Sequence, residues 1–572
     1  MFTQQRSTEH RGSDDLLSAG LGMDGLRAML PPAFADAEHP TSEELRRRAL
    51  WSNWRGIADL TPGGGFGEVY GALPSMPGRE FTAYAQVPGA RQPHRVLLQL
   101  PDGFDAGKRC VVVTASSGSR GVYGAIAVAG AWGLPKGCAV AYTDKGNGTD
   151  YFDLDSGMGI DAANQIVAVS TDAGLAFAPS VTSGQGIAFK HAHSQDNPEA
   201  DWGRHVKQAA EFALAKLNEA LPAQAPFTFA NTRVIAVGIS NGGGAVLRAA
   251  ELEGAGADKG WLDAVVAGEP NVLVQGHGAR SLYDYTTEAA LLMPCALPQL
   301  GIPAMPGLEA KCAALAARGV LTGTDFDAQQ KDALAKLHAG GWTDAALRAG
   351  SISVAFDLWR AIGVTYASAY GRHAHDAHPC GFRFSALNPD LTSRAATAAE
   401  RAAWIADGSG IPPGAGVGIM DPQPPTDIGL TGLSCMRALW TGDGADAQRV
   451  RKGVAETNAN APRAGLPVVV IHGTDDGLVP QAFTSAPYVA MAKAAGRDVR
   501  YWQVRNAQHF DAFLGFPQYA AVYLPLLPYV YTALDRVEAY LDGKGALPAD
   551  AVIPTVPRAG KPLTADHLAM PQ

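Results

Sequence analysis

A serine in a glycine-rich turn is the residue of this sequence best placed for nucleophilic chemistry. Ser240 lies in the segment Gly-Ile-Ser-Asn-Gly at 238–242, directly after an apolar, β-branched run that begins at Arg233. An alanine-rich segment typical of a helix follows. A strand, a sharp turn and a helix in this order expose a serine hydroxyl at a strained backbone position. The order predicts a nucleophile; because glycine-rich turns are common, a structural loop is the alternative.

A serine hydroxyl is a weak nucleophile near neutral pH, so it needs a base, and the base needs an orienting carboxylate. Asp476 follows the strand-like run 467–472 and precedes Gly-Leu-Val-Pro. Its neighbour Asp475 is the competing acid, and capping a turn is the alternative role for either. His509 follows the strand-like run 499–505. The order serine, acid, histidine is that of an α/β-hydrolase triad, which predicts Asp476 as acid and His509 as base.

Acyl transfer also requires hydrogen-bond donors for the negatively charged oxygen that forms on the attacked carbonyl. The backbone N–H of Asn241, next to the serine, is one candidate. The second is expected in the glycine-rich loop 114–124, from Gly118 or Ser119. In the same loop Arg120 could bind a substrate carboxylate, although a surface ion pair is an equal alternative. Other candidates for substrate contact are Tyr123 and His193.

Two histidine clusters raise the question of a metal. His191 and His193 lie two positions apart, and the segment 373–380 holds three further histidines and Cys380. Neither cluster has a complete set of ligands at metal-binding spacing, so a pocket wall or a hydrogen-bonded loop is the preferred interpretation. The sequence predicts neither a metal nor a cofactor.

Charge and hydropathy restrict the partners of the protein. The net charge is -9 and no basic stretch stands out, which argues against a nucleic-acid partner. The longest charge-free run, 512–534, would be long enough for a membrane span. Three prolines and four tyrosines interrupt it, so it predicts a broken, buried helix that lines a pocket. The expected partner is a small-molecule ester, and the chain is not expected to span a membrane.

Eight β-rich runs, with helical patterns between the later ones, predict a mainly parallel, doubly wound sheet with an antiparallel edge. The runs are 81–87, 96–100, 109–114, 138–143, 233–238, 263–267, 467–472 and 499–505. The clearest helical pattern is 202–220, and Ser42 could cap a helix near 42–51. The predicted class is an α/β-hydrolase with a large inserted lid domain. We expect an N-terminal extension at 1–75, a catalytic domain at 76–270 and 461–572, and the lid at 271–460.

Six cysteines occur, none of them in a Cys-x-x-Cys pair, so zinc and redox motifs are not expected. An even number permits three disulfides, which would imply an oxidising compartment. Cys110 and Cys138 both fall on predicted strands, where buried thiols are the simplest interpretation. The pairing stays open on these grounds.

Several long motifs, in the same order, closely resemble the D-(-)-3-hydroxybutyrate oligomer hydrolases. The resemblance extends from about residue 13 to 560 and includes 116–125, 190–195, 240–244 and 508–513. It implies hydrolysis of the ester bonds of 3-hydroxybutyrate dimers and short oligomers, the breakdown products of polyhydroxybutyrate. The family's serine nucleophile falls on Ser240. The six cysteines also resemble those of the family, which favours disulfides.

Two alternatives to this function remain. One is a lid-covered esterase of the feruloyl esterase or tannase kind, although the adjacent cysteine pair typical of that group is absent. The other is a non-catalytic binding protein with a hydrolase fold, against which the intact triad argues. The first fifteen residues have no apolar core, whereas secreted family members carry a signal sequence. Three disulfides would favour an exported mature form; a full-length chain would be cytoplasmic.

Overall fold

The structure of the 572-residue chain is a computed structural model. It describes residues 2–146, 149–170, 173–252, 260–407 and 417–571. The strands of these segments are β1 (Thr3–His10), β2 (Gly78–Ala85), β3 (His94–Pro101), β4 (Cys110–Ala115), β5 (Ala139–Thr143), β6 (Tyr151–Asp153), β7 (Met158–Ile160), β8 (Ile166–Ala168), β9 (Ile187–Phe189), β10 (Arg233–Ile239), β11 (Ala264–Gly268), β12 (Arg383–Leu387), β13 (Ser393–Arg394), β14 (Val417–Met420), β15 (Val468–Gly473), β16 (Val499–Val504) and β17 (Ala551–Ile553).

The α-helices of the same segments are α1 (Gly22–Arg27), α2 (Ser42–Arg55), α3 (Ala131–Gly133), α4 (Lys190–His193), α5 (Pro198–Ala220), α6 (Asn241–Ala249), α7 (Leu282–Ala296), α8 (Leu308–Ala317), α9 (Phe326–Ala339), α10 (Asp344–Ala355), α11 (Leu358–Gly371), α12 (Ala398–Asp407), α13 (Leu430–Thr441), α14 (Ala445–Ala455), α15 (Ser485–Ala494), α16 (Pro517–Ala520), α17 (Leu527–Leu541) and α18 (Ala565–Leu568). None of these described helices is long and apolar enough to cross a membrane.

Ten strands form the central sheet, in the order β1-β2-β3-β5-β4-β10-β11-β15-β16-β17. The pairs from β1 to β5 are antiparallel, and every pair from β5 to β17 is parallel. The topology confirms the predicted mainly parallel sheet of an α/β-hydrolase. All eight predicted strands are present with ends within three residues. The outermost strands β1 and β17 were not predicted, because the first is almost entirely polar and the second has three residues.

Both faces of the parallel strands are buried, which is why these strands are apolar throughout rather than alternating. In β10, for example, Ile235 and Val237 belong to one core and Val234 and Ala236 to the other. The helices α5 and α6 cover the second of these faces. Since helices cover both faces, the carboxyl ends of the strands are the natural place for a ligand.

Two long stretches depart from simple strand–helix alternation, as expected. Residues 151–189 form a second, four-stranded sheet in the order β8-β7-β6-β9. Between β11 and β15 the chain forms the helices α7 to α14 and a third sheet, β13-β12-β14, with an apolar core largely its own. The segment 1–75, expected to be an extension, contributes the edge strand β1 to the central sheet.

Two local expectations are corrected by the structure, and a third is confirmed. The side chain of Thr41, not Ser42, caps α2, and Glu44 completes a capping box with it. Cys110 and Cys138 are not buried thiols, since they form a disulfide. The other two disulfides join Cys295 to Cys312 and Cys380 to Cys435. The charge-free run 512–534 is a series of broken helices, as predicted.

Candidate active site

The predicted nucleophile lies at the junction of β10 and α6, near the middle of the central sheet. Ser240 has φ 56° and ψ -126°, a backbone conformation that is strained for any residue with a Cβ. The glycines on either side allow the close packing of strand and helix. A Cβ on Gly238 would lie 2.3 Å from the carbonyl oxygen of Gly242, and one on Gly242 would lie 2.4 Å from that of Ala115. The local sequence therefore forms a tight elbow.

Ser240, His509 and Asp476 form a continuous hydrogen-bonded chain. His509 Nδ1 lies 2.7 Å from Asp476 Oδ2, and His509 Nε2 lies 2.9 Å from Ser240 Oγ. A carboxylate can only accept, so Nδ1 carries the proton and Nε2 is left to accept from the serine hydroxyl. This tautomer is the one a general base requires.

The surroundings of Asp476 keep it ionised. The carboxyl group is buried, and burial alone would raise its pKa. Attraction to His509 and hydrogen bonds from His472 and His509 outweigh this effect and hold the pKa of Asp476 well below its usual range. Backbone N–H groups of Leu478 and Val479 also donate to Oδ1, at 2.8 and 2.7 Å. Asp476 can therefore stabilise the imidazolium that forms when His509 takes a proton.

The competing residues have other partners. Asp475 is half-buried, and its Oδ1 accepts a hydrogen bond from Thr474 Oγ1 at 2.8 Å. His472, expected to shape the turn, donates from Nε2 to the carbonyl of Val479 at 2.8 Å and lies 3.1 Å from Asp476 Oδ2. His472 thus positions the acid, while the structure directs Asp476 rather than Asp475 towards His509.

The predicted oxyanion donors lie next to one another beside Ser240. Asn241 begins α6, where the first backbone N–H groups have no partner within the helix. Gly118 and Ser119 line the same cavity as Ser240 and Asn241. A Cβ on Gly118 would lie 3.1 Å from Asn241 Cγ, so the loop passes directly over the Asn241 side chain. These contacts bring the predicted donors to one wall of the cavity.

A buried polar network, which the sequence did not predict, holds the Asn241 side chain. Its Nδ2 donates to Tyr366 Oη at 2.8 Å and to Glu199 Oε2 at 3.3 Å. Lys145 donates to Glu199 and, at 3.2 Å, to the Tyr366 hydroxyl, and His191 Nε2 lies 2.7 Å from Glu199. Burial raises the pKa of Glu199, but Lys145 and His191 more than offset this and lower it to about 2. In this network His191 orients the carboxylate of Glu199.

A cavity of about 520 Å³ opens onto Ser240 and His509, within the size range of small-molecule sites. Its walls are mostly apolar, and residues from α11 cover one side. The apolar lining is Trp51, Ile57, Ile239, Leu282, Phe356, Leu358, Ile362, Leu478, Val479, Phe510, Ala512, Phe513, Phe516, Leu526, Leu527 and Val530. Several of these residues come from the charge-free run 512–534, which was expected to line a pocket.

Of the three residues predicted to contact substrate, the structure brings only Arg120 to the cavity. Its Nη1 donates to the carbonyl of Ser52 at 3.0 Å, and the side chain lines the cavity wall near α2. Tyr123 is buried and donates to Glu80 at 2.6 Å. His193 is buried, and its Nδ1 accepts the N–H of Phe189 at 3.1 Å. Neither Tyr123 nor His193 belongs to the described cavity lining.

One set of three potential metal ligands occurs among the described residues, namely Glu269, Asp476 and His509, with one ligand atom of each within 4.8 Å of the others. Both ring nitrogens of His509 already have hydrogen-bond partners in the triad. The set therefore fits a hydrogen-bonded triad better than a metal site. Glu269 itself, at the end of β11, was not singled out from the sequence.

Sequence comparison relates the chain to one family of known proteins over nearly its whole length. The family model of the 3HB-oligomer hydrolases matches residues 3–572. The D-(-)-3-hydroxybutyrate oligomer hydrolase of Paracidovorax citrulli is 37% identical over 98% of this chain and 89% of its own length. That of Polaromonas naphthalenivorans is 38% identical over 96% and 87%.

Among solved structures, the rice cell wall degrading esterase LipA from Xanthomonas oryzae, in a ligand-bound form, is 13% identical. The alignment covers 82% of this chain and 91% of that chain, with a TM-score of 0.39. The family assignment depends on the sequence matches alone, which extend over nearly the whole chain. The chain belongs to the 3HB-oligomer hydrolase family.

Proposed function

We propose that this protein is a serine esterase that hydrolyses the ester bonds of 3-hydroxybutyrate dimers and short oligomers to the monomer. The observation that carries the proposal is the hydrogen-bonded chain from Ser240 through His509 to Asp476 at the wall of the cavity. The names of its relatives supply the substrate class, and family membership favours it over an aromatic ester.

The reaction is a two-step acyl transfer. His509 Nε2 takes the proton of the Ser240 hydroxyl as Oγ attacks the ester carbonyl, and Asp476 holds the imidazolium. The amides of Asn241 and of Gly118 or Ser119 stabilise the negatively charged oxygen of the tetrahedral intermediate. The carbon–oxygen bond to the leaving group breaks, and His509 protonates that oxygen, so that one hydroxy acid departs. Water activated by His509 then attacks the acyl-enzyme, which releases the second hydroxy acid and regenerates Ser240.

The cavity also supports an orientation for the substrate. A short oligomer ends in a free carboxylate, and Arg120 and Arg55 are the two cationic side chains among the described lining residues. An arginine beside a carboxylate gives a charge-assisted hydrogen bond in fixed geometry. The carboxylate end therefore lies towards α2 and the loop that carries Arg120, and the ester carbonyl lies over Ser240.

Product analysis tests the proposed function. Purified wild-type protein and Ser240→Ala are incubated with 3-hydroxybutyrate dimer, trimer and amorphous polymer, and the released acids are measured. We expect the wild type to convert dimer and trimer to monomer, and the variant to lose at least about 10³-fold in rate. Methyl ferulate serves as the comparison substrate. Activity that survives the Ser240 substitution, or preference for the aromatic ester, would contradict the proposal.

A further inference from the structure

A buried carboxyl group on the cavity wall has no part in the triad. Glu269 directly follows β11 and lines the same cavity as Ser240. The residue is only 4% exposed, and its Oε2 has no hydrogen-bond partner among the described residues. A buried polar atom without a partner is unfavourable, because it has given up its hydrogen bonds to water and gained none in the protein. A ligand group that pairs with the carboxyl would remove this cost.

The backbone at Glu269 is strained in the same way as at the nucleophile. Glu269 has φ 38°, and Ser240, at the end of the neighbouring strand β10, has φ 56°. Non-glycine residues with positive φ persist where the surrounding structure holds them in place, and they cluster at functional sites. Here the N–H of Glu269 donates to the carbonyl of Ile471 at 2.7 Å, which fixes the strained turn. Two adjacent strand ends thus each hold a strained polar residue at the cavity.

The surrounding charges affect the protonation state in which the Glu269 carboxyl would bind a ligand. Burial, together with the nearby carboxyls of Asp476 and Asp511, raises the pKa of Glu269 well above its usual value. A neutral carboxylic acid both donates and accepts hydrogen bonds. Asp476 does not need it as a donor, because its two oxygens already contact two backbone N–H groups and two histidines. The hydrogen-bonding capacity of Glu269 is therefore available to the cavity.

The proposed substrate carries one group that matches this wall. In the 3-hydroxybutyrate dimer, the acyl unit has a free hydroxyl two carbons from the carbonyl that Ser240 attacks. A hydroxyl is neutral and, like a carboxylic acid, both donates and accepts. The substrate's carboxylate, by contrast, would be repelled by the acidic groups around Glu269 and suits the arginines on the wall near α2. We propose that Glu269 binds the 3-hydroxyl of the acyl unit and makes the enzyme specific for 3-hydroxyacyl esters. This inference rests on the proposed function.

Matched esters test the inference. The 4-nitrophenyl esters of 3-hydroxybutyrate and of butyrate differ only in the hydroxyl, and kcat/KM is measured for both. A site built to bond a hydroxyl strongly rejects the analogue that lacks it. We expect wild type to prefer the hydroxy ester by at least about tenfold. Glu269→Gln, which keeps a donor and an acceptor, should retain most of this preference. Glu269→Leu should lose it, so that the ratio of the two kcat/KM values falls to near one.

The controls separate specificity from damage to the triad. Labelling of Ser240 by a fluorophosphonate and the melting temperature report whether each variant keeps a working elbow. Equal loss on both esters in the leucine variant would make Glu269 a support of the triad and overturn the inference. A preference for the hydroxy ester that is unchanged in the leucine variant would also overturn it. So would equal kcat/KM values of the wild type for the two esters, a result that requires no variant. Failure of the proposed function is distinct, since wild type would then leave the dimer intact.

Discussion

Two adjacent aspartates in the turn after β15 differ in what their carboxyl groups contact. Asp476 is buried and its carboxylate lies 2.7 Å from His509 Nδ1, whereas Asp475 is half-buried and accepts a hydrogen bond from the Thr474 hydroxyl. We expect Asp476→Asn to lower kcat for the dimer by about 10³–10⁴-fold, because an amide favours the wrong histidine tautomer. Steady-state kinetics on purified protein measures the change.

Asp475→Asn is the matched control for this prediction, since it makes the same chemical change one position away. We expect it to alter kcat by less than about threefold. A large loss in the Asp475 variant, with an active Asp476 variant, would show that Asp475 and not Asp476 is the triad acid. Circular dichroism of both proteins checks that neither change unfolds the chain.

Arg120 gives a second prediction at the scale of one residue. If its guanidinium binds the substrate carboxylate, Arg120→Ala should raise KM for the dimer by about 10–100-fold, the value of a charge-assisted hydrogen bond. The value of kcat should change little, because the contact is made equally in the ground state and the transition state. An unchanged KM for the dimer would show that Arg120 has another role.

The methyl ester of the dimer is the control substrate for Arg120, because it has the same shape and no negative charge. Its KM should be nearly the same in wild type and Arg120→Ala. Arg120 also donates to the carbonyl of Ser52. Loss of that contact alone would affect both substrates alike, so the two explanations are separable.

The three residues of the proposed triad could be found in the sequence because each follows an apolar strand and their order along the chain is informative. Ser240, Asp476 and His509 follow the carboxyl ends of the parallel strands β10, β15 and β16, which sequence patterns locate well. Lys145, Glu199 and Tyr366 could not be found in this way. They come from a loop, a helix end and an inserted helix, and only the tertiary fold places them around Asn241.

At the scale of elements, the elbow depends on the absence of side chains where β10 meets α6. We expect Gly238→Ala to destabilise the protein by at least about 2 kcal/mol, because the new Cβ would lie 2.3 Å from a backbone oxygen that cannot move freely. Activity should fall with it, since Ser240 would be displaced. Thermal unfolding followed by circular dichroism, with kinetics on the folded fraction, measures both effects.

Gly103→Ala is the control for the elbow, because a Cβ at that position would have no atom within 4 Å. Its stability should stay within about 0.5 kcal/mol of wild type. Equal effects of the two substitutions would mean that loss of glycine itself, rather than crowding at the elbow, is responsible.

Strands with a strong apolar pattern could be predicted from the sequence. A strand that forms only because its backbone pairs with a neighbouring strand could not. The parallel strands are buried on both faces, so their composition identifies them. The strand β1 has an exposed, polar sequence and is a strand because it pairs with β2 over several residues. The N-cap of α2 is Thr41 rather than Ser42. Both residues have side chains that could cap a helix, and only the backbone geometry decides at which of them the helix begins.

At the scale of the whole molecule, buried ion pairs link stability to pH. Burial raises the pKa of Glu80, but attraction and hydrogen bonds from Arg46 outweigh it and lower the pKa to about 2. Burial also raises the pKa of Asp150, but attraction to Arg95 and Lys190 outweighs it and holds the pKa below its usual value. Burial lowers the pKa of His94 to about 4. Burial raises the pKa of Asp511 to about 7, so this residue acts in the opposite sense.

The sign of the pH effect follows from these shifts. Below pH 4.5 the unfolded chain binds a proton at Glu80 that the folded protein does not, so this part of the stability is complete above pH 4.5 and is lost as the pH falls towards 2. His94 contributes a loss of the same sign between about pH 6.5 and 4. The free energy of unfolding of the wild type should therefore decrease steeply on acidification below pH 5.

Glu80→Gln isolates one of these contributions. The variant should be less stable than wild type at pH 7, because buried Arg46 loses the carboxylate of Glu80 and keeps only that of Asp14. Its stability should fall less on acidification, by about 2 kcal/mol less between pH 5 and 3, since the linked proton is gone. Denaturant unfolding at several pH values measures both slopes, and Glu43→Gln, an exposed glutamate on the same helix as Arg46, should keep the wild-type slope. Parallel curves for wild type and Glu80→Gln would mean that the Arg46 pair does not contribute to acid unfolding.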